Sequence, residues 1–251
     1  MVGIVTGGIL AGLALGMLGA GGTIIGLPML LYLGGPSGHA AFGTNAFGVS
    51  IVALALLFWR MSARQIDVLL GIAFTLPGLA GIALGARLGL LYPASRLILL
   101  LSFLILIVAG WIYYLSTQAP AAGPAGRAAV DLRRIARVAP AAFIVGLISG
   151  FFAIGGGFLV VPALALTAAI DLRSSARSSL LPIAAFAALG AAEYALAGDV
   201  RYRAGIVMIA AGLAGGALGI ALGDRLPLPI IQRLFAVFLA ALAAYMMAQH
   251  V

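Results

Sequence analysis

Apolar residues run along this chain in long blocks, separated by short stretches that carry arginine, aspartate, glycine or proline. A membrane-spanning helix needs about 20 apolar residues. The blocks predict spans near Ala40–Trp59, Val68–Ala86, Leu97–Thr117, Ser178–Ala197, Ala204–Gly223 and Leu228–Gln249. Two blocks do not fit a single span. Residues 1–38 contain no charge, and neither do residues 138–170. As one helix, either would reach roughly 50 Å against a hydrocarbon core of about 30 Å. Each must break, bend or re-enter. In the middle of each lies a glycine cluster closed by a proline: Gly19-Ala20-Gly21-Gly22-Thr23 leading to Pro28, and Gly155-Gly156-Gly157 leading to Pro162.

The pattern repeats. A shift of 134 residues superposes Gly16 on Gly150, Gly21 on Gly155, Gly22 on Gly156 and Pro28 on Pro162. The same shift sets Thr44 and Asn45 on Ser178 and Ser179, and Gly78, Gly81 and Gly85 on Gly212, Gly215 and Gly219. Beyond that the second half is read as gaining four residues, with Gly85-Ala86-Arg87 resembling Gly223-Asp224-Arg225. The expectation is an all-α polytopic membrane protein. It has two homologous repeats of about four transmembrane helices, over residues 1–117 and 138–251. The first helix of each is broken or re-entrant at its glycine-rich segment. Residues 118–137, rich in Ala, Pro and Gly and carrying Arg127, Arg133, Arg134 and Arg137, read as the linker between them. If every loop simply alternates sides, eight arginines fall on one face and six on the other. That bias is too small to orient the chain by its positive charges. An inverted repeat blurs the bias in this way, and the reading leans towards inversion.

Composition narrows the class. Of 251 residues, 64% are hydrophobic and only 8% charged, with mean hydropathy +1.23. Soluble domains carry about 25% charged residues, so a polytopic membrane protein is the class. There is no cysteine, which excludes disulfides and thiolate metal sites. The net charge of +8 comes from arginines placed singly or in pairs between apolar runs. That placement suits membrane flanks rather than nucleic acid. The N-terminus has no basic stretch before its apolar run, so the first segment is expected to remain in the mature protein.

Candidate chemistry is sparse and uncharged. Glycines spaced by four, such as Gly8, Gly12 and Gly16, suit close helix packing. Adjacent glycines loosen the backbone instead, and non-helical backbone at membrane depth must face protein or a watery cavity. Free N–H groups at the start of a following half-helix carry partial positive charge and suit an anion. Helix packing remains the competing reading of these clusters. No Gly-Lys-Ser/Thr follows either, so a nucleotide loop is not supported. Thr44-Asn45 and Ser178-Ser179 either cap and bond helices or line the same site and donate to an anion. Arg177 can attract an anion there or snorkel, as Arg173 is expected to do. Glu193, near the end of its span, is either a coupling carboxylate, an arginine partner or a solvated residue. His39 and His250 are read as loop and tail. Trp59, Trp111, Tyr113 and Tyr114 read as interface aromatics. No catalytic set, metal cluster or cofactor motif appears, so neither an enzyme nor a cofactor is expected.

With both glycine–proline segments in view, the chain resembles the TauE/SafE family of sulfite exporter-like permeases. The resemblance rests on Gly19–Thr23 with Pro28 and Ala41-Phe42-Gly43-Thr44-Asn45. It rests equally on Gly155–Gly157 with Pro162 and Ala176-Arg177-Ser178-Ser179. Thr23 stands where the pattern has a third glycine and Ser178 where it has threonine, departures that bear on selectivity. The resemblance implies a secondary transporter, usually an exporter, of small anions such as sulfite, sulfonates or related organic acids. It implies a prokaryotic cytoplasmic membrane. The expected partners are a small anion, the bilayer and a coupling proton or other ion. An anion channel and a structural subunit of a membrane complex are the alternatives.

Overall fold

The structure is a computed structural model, and it describes residues 2–19, 22–33, 36–62, 67–117, 132–168, 170 and 172–249. Among these residues there are eleven helices and no strand. They are α1 (Val2–Leu18), α2 (Gly22–Tyr32), α3 (His39–Ser62), α4 (Val68–Leu90), α5 (Ala94–Thr117) and α6 (Leu132–Phe151). There follow α7 (Gly157–Ala168), α8 (Leu172–Ser178), α9 (Leu180–Leu196), α10 (Tyr202–Gly223) and α11 (Leu228–Ala248). Among the described residues, six stretches are long and apolar enough to cross a membrane. One of them, Arg173–Leu196, joins most of α8 to α9 through the turn at Ser179. Because α6 begins at Leu132, Arg133, Arg134 and Arg137 ride its first turns, and residues 118–131 lie outside the described part.

Polarity runs from inside to outside in the membrane sense. Thr44, Asn45, Ser102, Ser149 and Ser179 are fully buried. Phe58, Leu76, Ile107, Leu196 and Leu234 face outward. A monomer in water rarely exposes apolar surface on that scale, whereas lipid accepts it.

Neither uncharged block is a single helix. α2 turns back along α1: Gly3 packs on Leu33, Gly7 on Met29, and Gly22 on Ala11 and Leu15. The numbers run in opposite directions, so the two helices form an antiparallel hairpin with its tip at Gly19. Gly19 sits in the left-handed region at φ 60°, which glycine enters without steric penalty. In the second block the turn spans Phe152–Gly156, with Ala153, Gly155 and Gly156 all at positive φ. The prolines, expected at the breaks, do not mark them. Pro28 and Pro162 lie inside α2 and α7, which continue to Tyr32 and Ala168. Both rings are buried, and neighbouring elements shield the freed carbonyls from lipid.

Glycines set how the hairpins pack. α1 lies parallel to α10, with Gly8 on Met208, Gly12 on Gly212 and Gly16 on Gly216. α4 lies parallel to α6, with Gly78 on Gly146 and Gly85 on Leu147. The two contact lists coincide after a shift of 134 residues: Gly215 meets Ile9 as Gly81 meets Phe143, and Gly219 meets Leu13 as Gly85 meets Leu147. The shift still holds at Gly223 on Met17 and Gly89 on Phe151. The expected four-residue gain in the second half is therefore absent. The likeness of Gly85-Ala86-Arg87 to Gly223-Asp224-Arg225 is a displaced match within a glycine repeat of four.

Directions follow from these contacts. α3 and α9 are antiparallel: Gly43 packs on Tyr194, while Arg60 and Arg177 share Asp224. The Arg60 end of the bundle holds the C-termini of α1, α3 and α10 and the N-termini of α4, α6 and α8. The Tyr194 end holds the C-termini of α4, α6 and α9. α1 and α6, which correspond under the shift, therefore run in opposite directions.

A Cβ at Gly12 would run into the Gly212 carbonyl, whereas one at Gly110 would meet nothing within 4 Å. Gly12→Val is expected to destabilise the protein by about 1–3 kcal/mol through overpacking. Gly110→Ala should be neutral or slightly stabilising. Thermal unfolding of the purified protein in detergent checks both.

Candidate functional site

The sequence-predicted residues fall into two groups. At the Arg60 end, Gly19 packs against the Ala176 backbone. The Ser179 hydroxyl donates within reach of two carbonyls, Gly19 at 2.8 Å and Ala176 at 2.9 Å. Ser178 Oγ accepts the Asp67 backbone N–H at 3.3 Å, and Asp67 in turn caps α4 by accepting Leu70 N–H. At the Tyr194 end, Thr44 Oγ1 accepts the Arg201 N–H at 2.9 Å. These two bonds, Asp67 to Ser178 and Arg201 to Thr44, again differ by the 134-residue shift. They are tertiary clasps on the first residues of α4 and α10.

The expectation that both hydroxyl pairs line one midplane site is not met. Thr44 neighbours Gly43, which packs on Tyr194, and Ser178 stands 16 residues before Tyr194. That separation is roughly 24 Å of helix rise. Of the glycine clusters, Gly22 starts α2, and Gly156 faces Ser149 and Phe186 beside Gly157 at the start of α7. α2 and α7 touch each other. Ala20, Gly21 and the Thr23 side chain lie outside the described residues, as does His250. Asn45 is buried with its Oδ1 against Gly26. Glu193 takes one of its expected roles, as an ion partner: its Oε1 lies 3.7 Å from Arg87 Nε at the Tyr194 end. His39 is not a loop residue but the first of α3, with its ring against Phe42 and Tyr194.

Charge gathers at the Arg60 end. Arg60 is 5% exposed and donates to the Gly16 carbonyl at 3.0 Å. Its Nη1 is 3.8 Å from Asp224 Oδ1, and Arg177 Nη2 approaches the same oxygen at 3.7 Å. Arg173 donates to the Leu226 carbonyl at 3.0 Å. Arg60, Arg173, Arg177 and Asp224, with Met17, Gly19, Ala176 and Gly223, line a small cleft of about 20 Å³. Two guanidinium groups approach one carboxylate oxygen and a third, that of Arg173, lines the same cleft, so positive charge exceeds negative there. The same places at the other end, 134 residues away, hold Tyr194 for Arg60, Gly43 for Arg177 and Leu90 for Asp224. Sequence reasoning passed over Arg60 and treated Asp224 only as a repeat marker. A lone arginine inside the final turn of an apolar span was the available signal.

A profile of the family described as sulfite exporter TauE/SafE matches residues 4–246. The chain belongs to this family. A probable membrane transporter protein of Xylella fastidiosa strain Temecula1 is 35% identical over 240 residues, covering 94% of this chain and 90% of its own length. The probable membrane transporter protein YunE of Bacillus subtilis is 23% identical, covering 87% of each chain. No solved structure matches. The chain is thus a multi-pass membrane protein of a transporter family.

The two tips should answer substitution differently. A Cβ on Gly19 would strike the Ala176 carbonyl at a left-handed φ, whereas Ala153 already holds a left-handed φ of 47°. Ala153→Gly is expected to stabilise by up to about 1 kcal/mol by relieving that strain. Gly19→Ala should destabilise by more than that amount in the same unfolding assay.

Proposed function

We propose that the chain is a secondary transporter of small anions, such as sulfite, sulfonates or related organosulfur acids, in a prokaryotic cytoplasmic membrane. The observation that carries the reading is the matched pair of helix hairpins. One contact register occurs twice, 134 residues apart, with corresponding helices running in opposite directions. That is the arrangement of an inverted repeat, in which one half rocks against the other around a site near the middle. In this reading residues 1–117 and 138–251 are the two repeats, and the first helix of each turns at its glycine-rich segment.

The substrate passes between the repeats where α2 and α7 meet. Their N-terminal residues Gly22 and Gly157 present backbone N–H groups without placing a full charge at membrane depth. Gly19 and Gly22 line the path from one end and Gly155–Gly157 from the other. Thr44-Asn45 and Ser178-Ser179 hold the adjoining helices in register. Arg177 draws the anion in. Glu193, tied to exposed Arg87, is the coupling residue in this reading. An ion gradient or the substrate's own gradient supplies the driving force.

Reconstituted vesicles loaded with labelled sulfite, taurine, sulfoacetate or a simple carboxylate test this. Saturable flux and counterflow exchange of at least one anion are the expected result. Single-channel currents without counterflow would instead make the protein a channel. Absence of flux for every anion would leave it a structural subunit.

A further inference from the structure

The transporter reading leaves open which membrane face the cleft at the Arg60 end opens to, and what Asp224 does there. The fold answers the first. With helix directions assigned, the described arginines no longer divide evenly. Arg60, Arg133, Arg134, Arg137, Arg173 and Arg177 lie in the terminal turns that meet the Arg60 end. Arg225 and Arg233 flank the α10–α11 turn at that same end. The Tyr194 end has only Arg87, Arg96, Arg201 and Arg203. Simple alternation failed because each hairpin returns the chain to the face it left. An excess of arginine in short loops and near span ends marks the cytoplasmic side.

The second answer lies in the ion contacts. Arg60 and Arg177 converge on one oxygen of Asp224 at 3.8 and 3.7 Å. Both distances are longer than a charge-assisted hydrogen bond. Asp224 is itself 42% exposed and sits in the turn after α10, outside the helical span. Its carboxylate is therefore a loosely held anion on a short tether, seated where two guanidinium groups meet. A free oxyanion of similar size offers the same chemistry and more acceptor oxygens.

The geometry points to a cytoplasm-facing entry site for a small oxyanion, held by Arg60 and Arg177, with Asp224 as a tethered competitor that occupies it when no substrate is bound. The inference rests on the transporter reading above. It also assigns direction: the anion-attracting mouth opens to the cytoplasm, as export requires. Gly19 and Ala176 line that mouth, so anion binding in place of Asp224 acts directly on the α1–α2 tip. The Tyr194 end, with tyrosine, glycine and leucine at the matching places, has no equivalent and favours release.

The chain contains no cysteine, which permits a clean test. Leu226→Cys and Tyr92→Cys place single thiols at the two ends. In intact cells a membrane-impermeant maleimide should label Tyr92→Cys and spare Leu226→Cys, with the reverse in inverted vesicles. Labelling of Leu226→Cys from outside overturns the orientation. In vesicles, Asp224→Asn should lower the half-saturating sulfite concentration about threefold, as expected for loss of a competing, partly exposed ion pair. Arg177→Gln should raise it by a similar factor. The charge swap Arg177→Asp with Asp224→Arg should recover folding without recovering affinity. Folding of each variant is checked by thermal unfolding. If the unaltered protein transports sulfite and Asp224→Asn has the same half-saturation, the competitor role is wrong while the transporter stands. If the unaltered protein neither binds nor moves any anion, both readings fall together.

Discussion

The backbone of this protein is governed by a solvent that offers no hydrogen bonds. Lipid obliges every N–H and C=O at membrane depth to find a partner inside the chain. Two uncharged blocks are too long to satisfy that as single helices, so each folds back on itself. A hairpin in lipid gains little from hydrophobic burial, because the alternative surroundings are equally apolar. It is held by close dispersion contact, and close contact needs glycine where helices cross. α1 meets α10, and α4 meets α6, at places where the carbonyl of one helix occupies the space a side chain would fill on the other. The positions of the tips, the clasps of Ser178 and Thr44 and the separation of the two ends all depend on those two seams.

The contact register of the two seams recurs, but the side chains at their ends do not. The α1–α2 tip lies under Arg60, Arg177 and Asp224, whereas the matching places at the other end carry Tyr194, Gly43 and Leu90. Buried aromatic rings of Phe42 and Tyr194, with His39 beside them, fill the second end. Helix seams that share one contact register thus end in unlike surroundings. One end gathers Arg60, Arg173, Arg177 and Asp224; the other packs buried aromatic rings beneath the Arg87–Glu193 pair.

Several residues that sequence reasoning chose make structural contacts that it did not anticipate. Ser179 and Ser178 are not free donors in a cavity: one bonds the tip at Gly19, the other clasps Asp67. Pro28 and Pro162 follow the breaks instead of making them, because a buried helix in protein surroundings tolerates a missing N–H. Arg60 was passed over since an arginine close to a span end reads as an anchor, and only its contact with the Gly16 carbonyl shows it turned inward.

Length and hydropathy alone determined that the chain is helical and crosses a membrane, and that residues 1–38 and 138–170 must turn. These follow from the rise of a helix against the thickness of a bilayer, which need no knowledge of neighbours. The 134-residue period was likewise legible, since glycines and hydroxyls recur in the text itself. What only the tertiary structure decided is which parts meet. Periodicity states that two segments are alike, not whether they share an end, and the four-residue spacing of glycine makes false registers easy to draw. Direction comes from which helix lies parallel to which, and that is set by contacts between residues far apart in sequence. The same contacts bring Arg60, Arg177 and Asp224 from three separate helix ends to one carboxylate oxygen, a meeting no local pattern encodes.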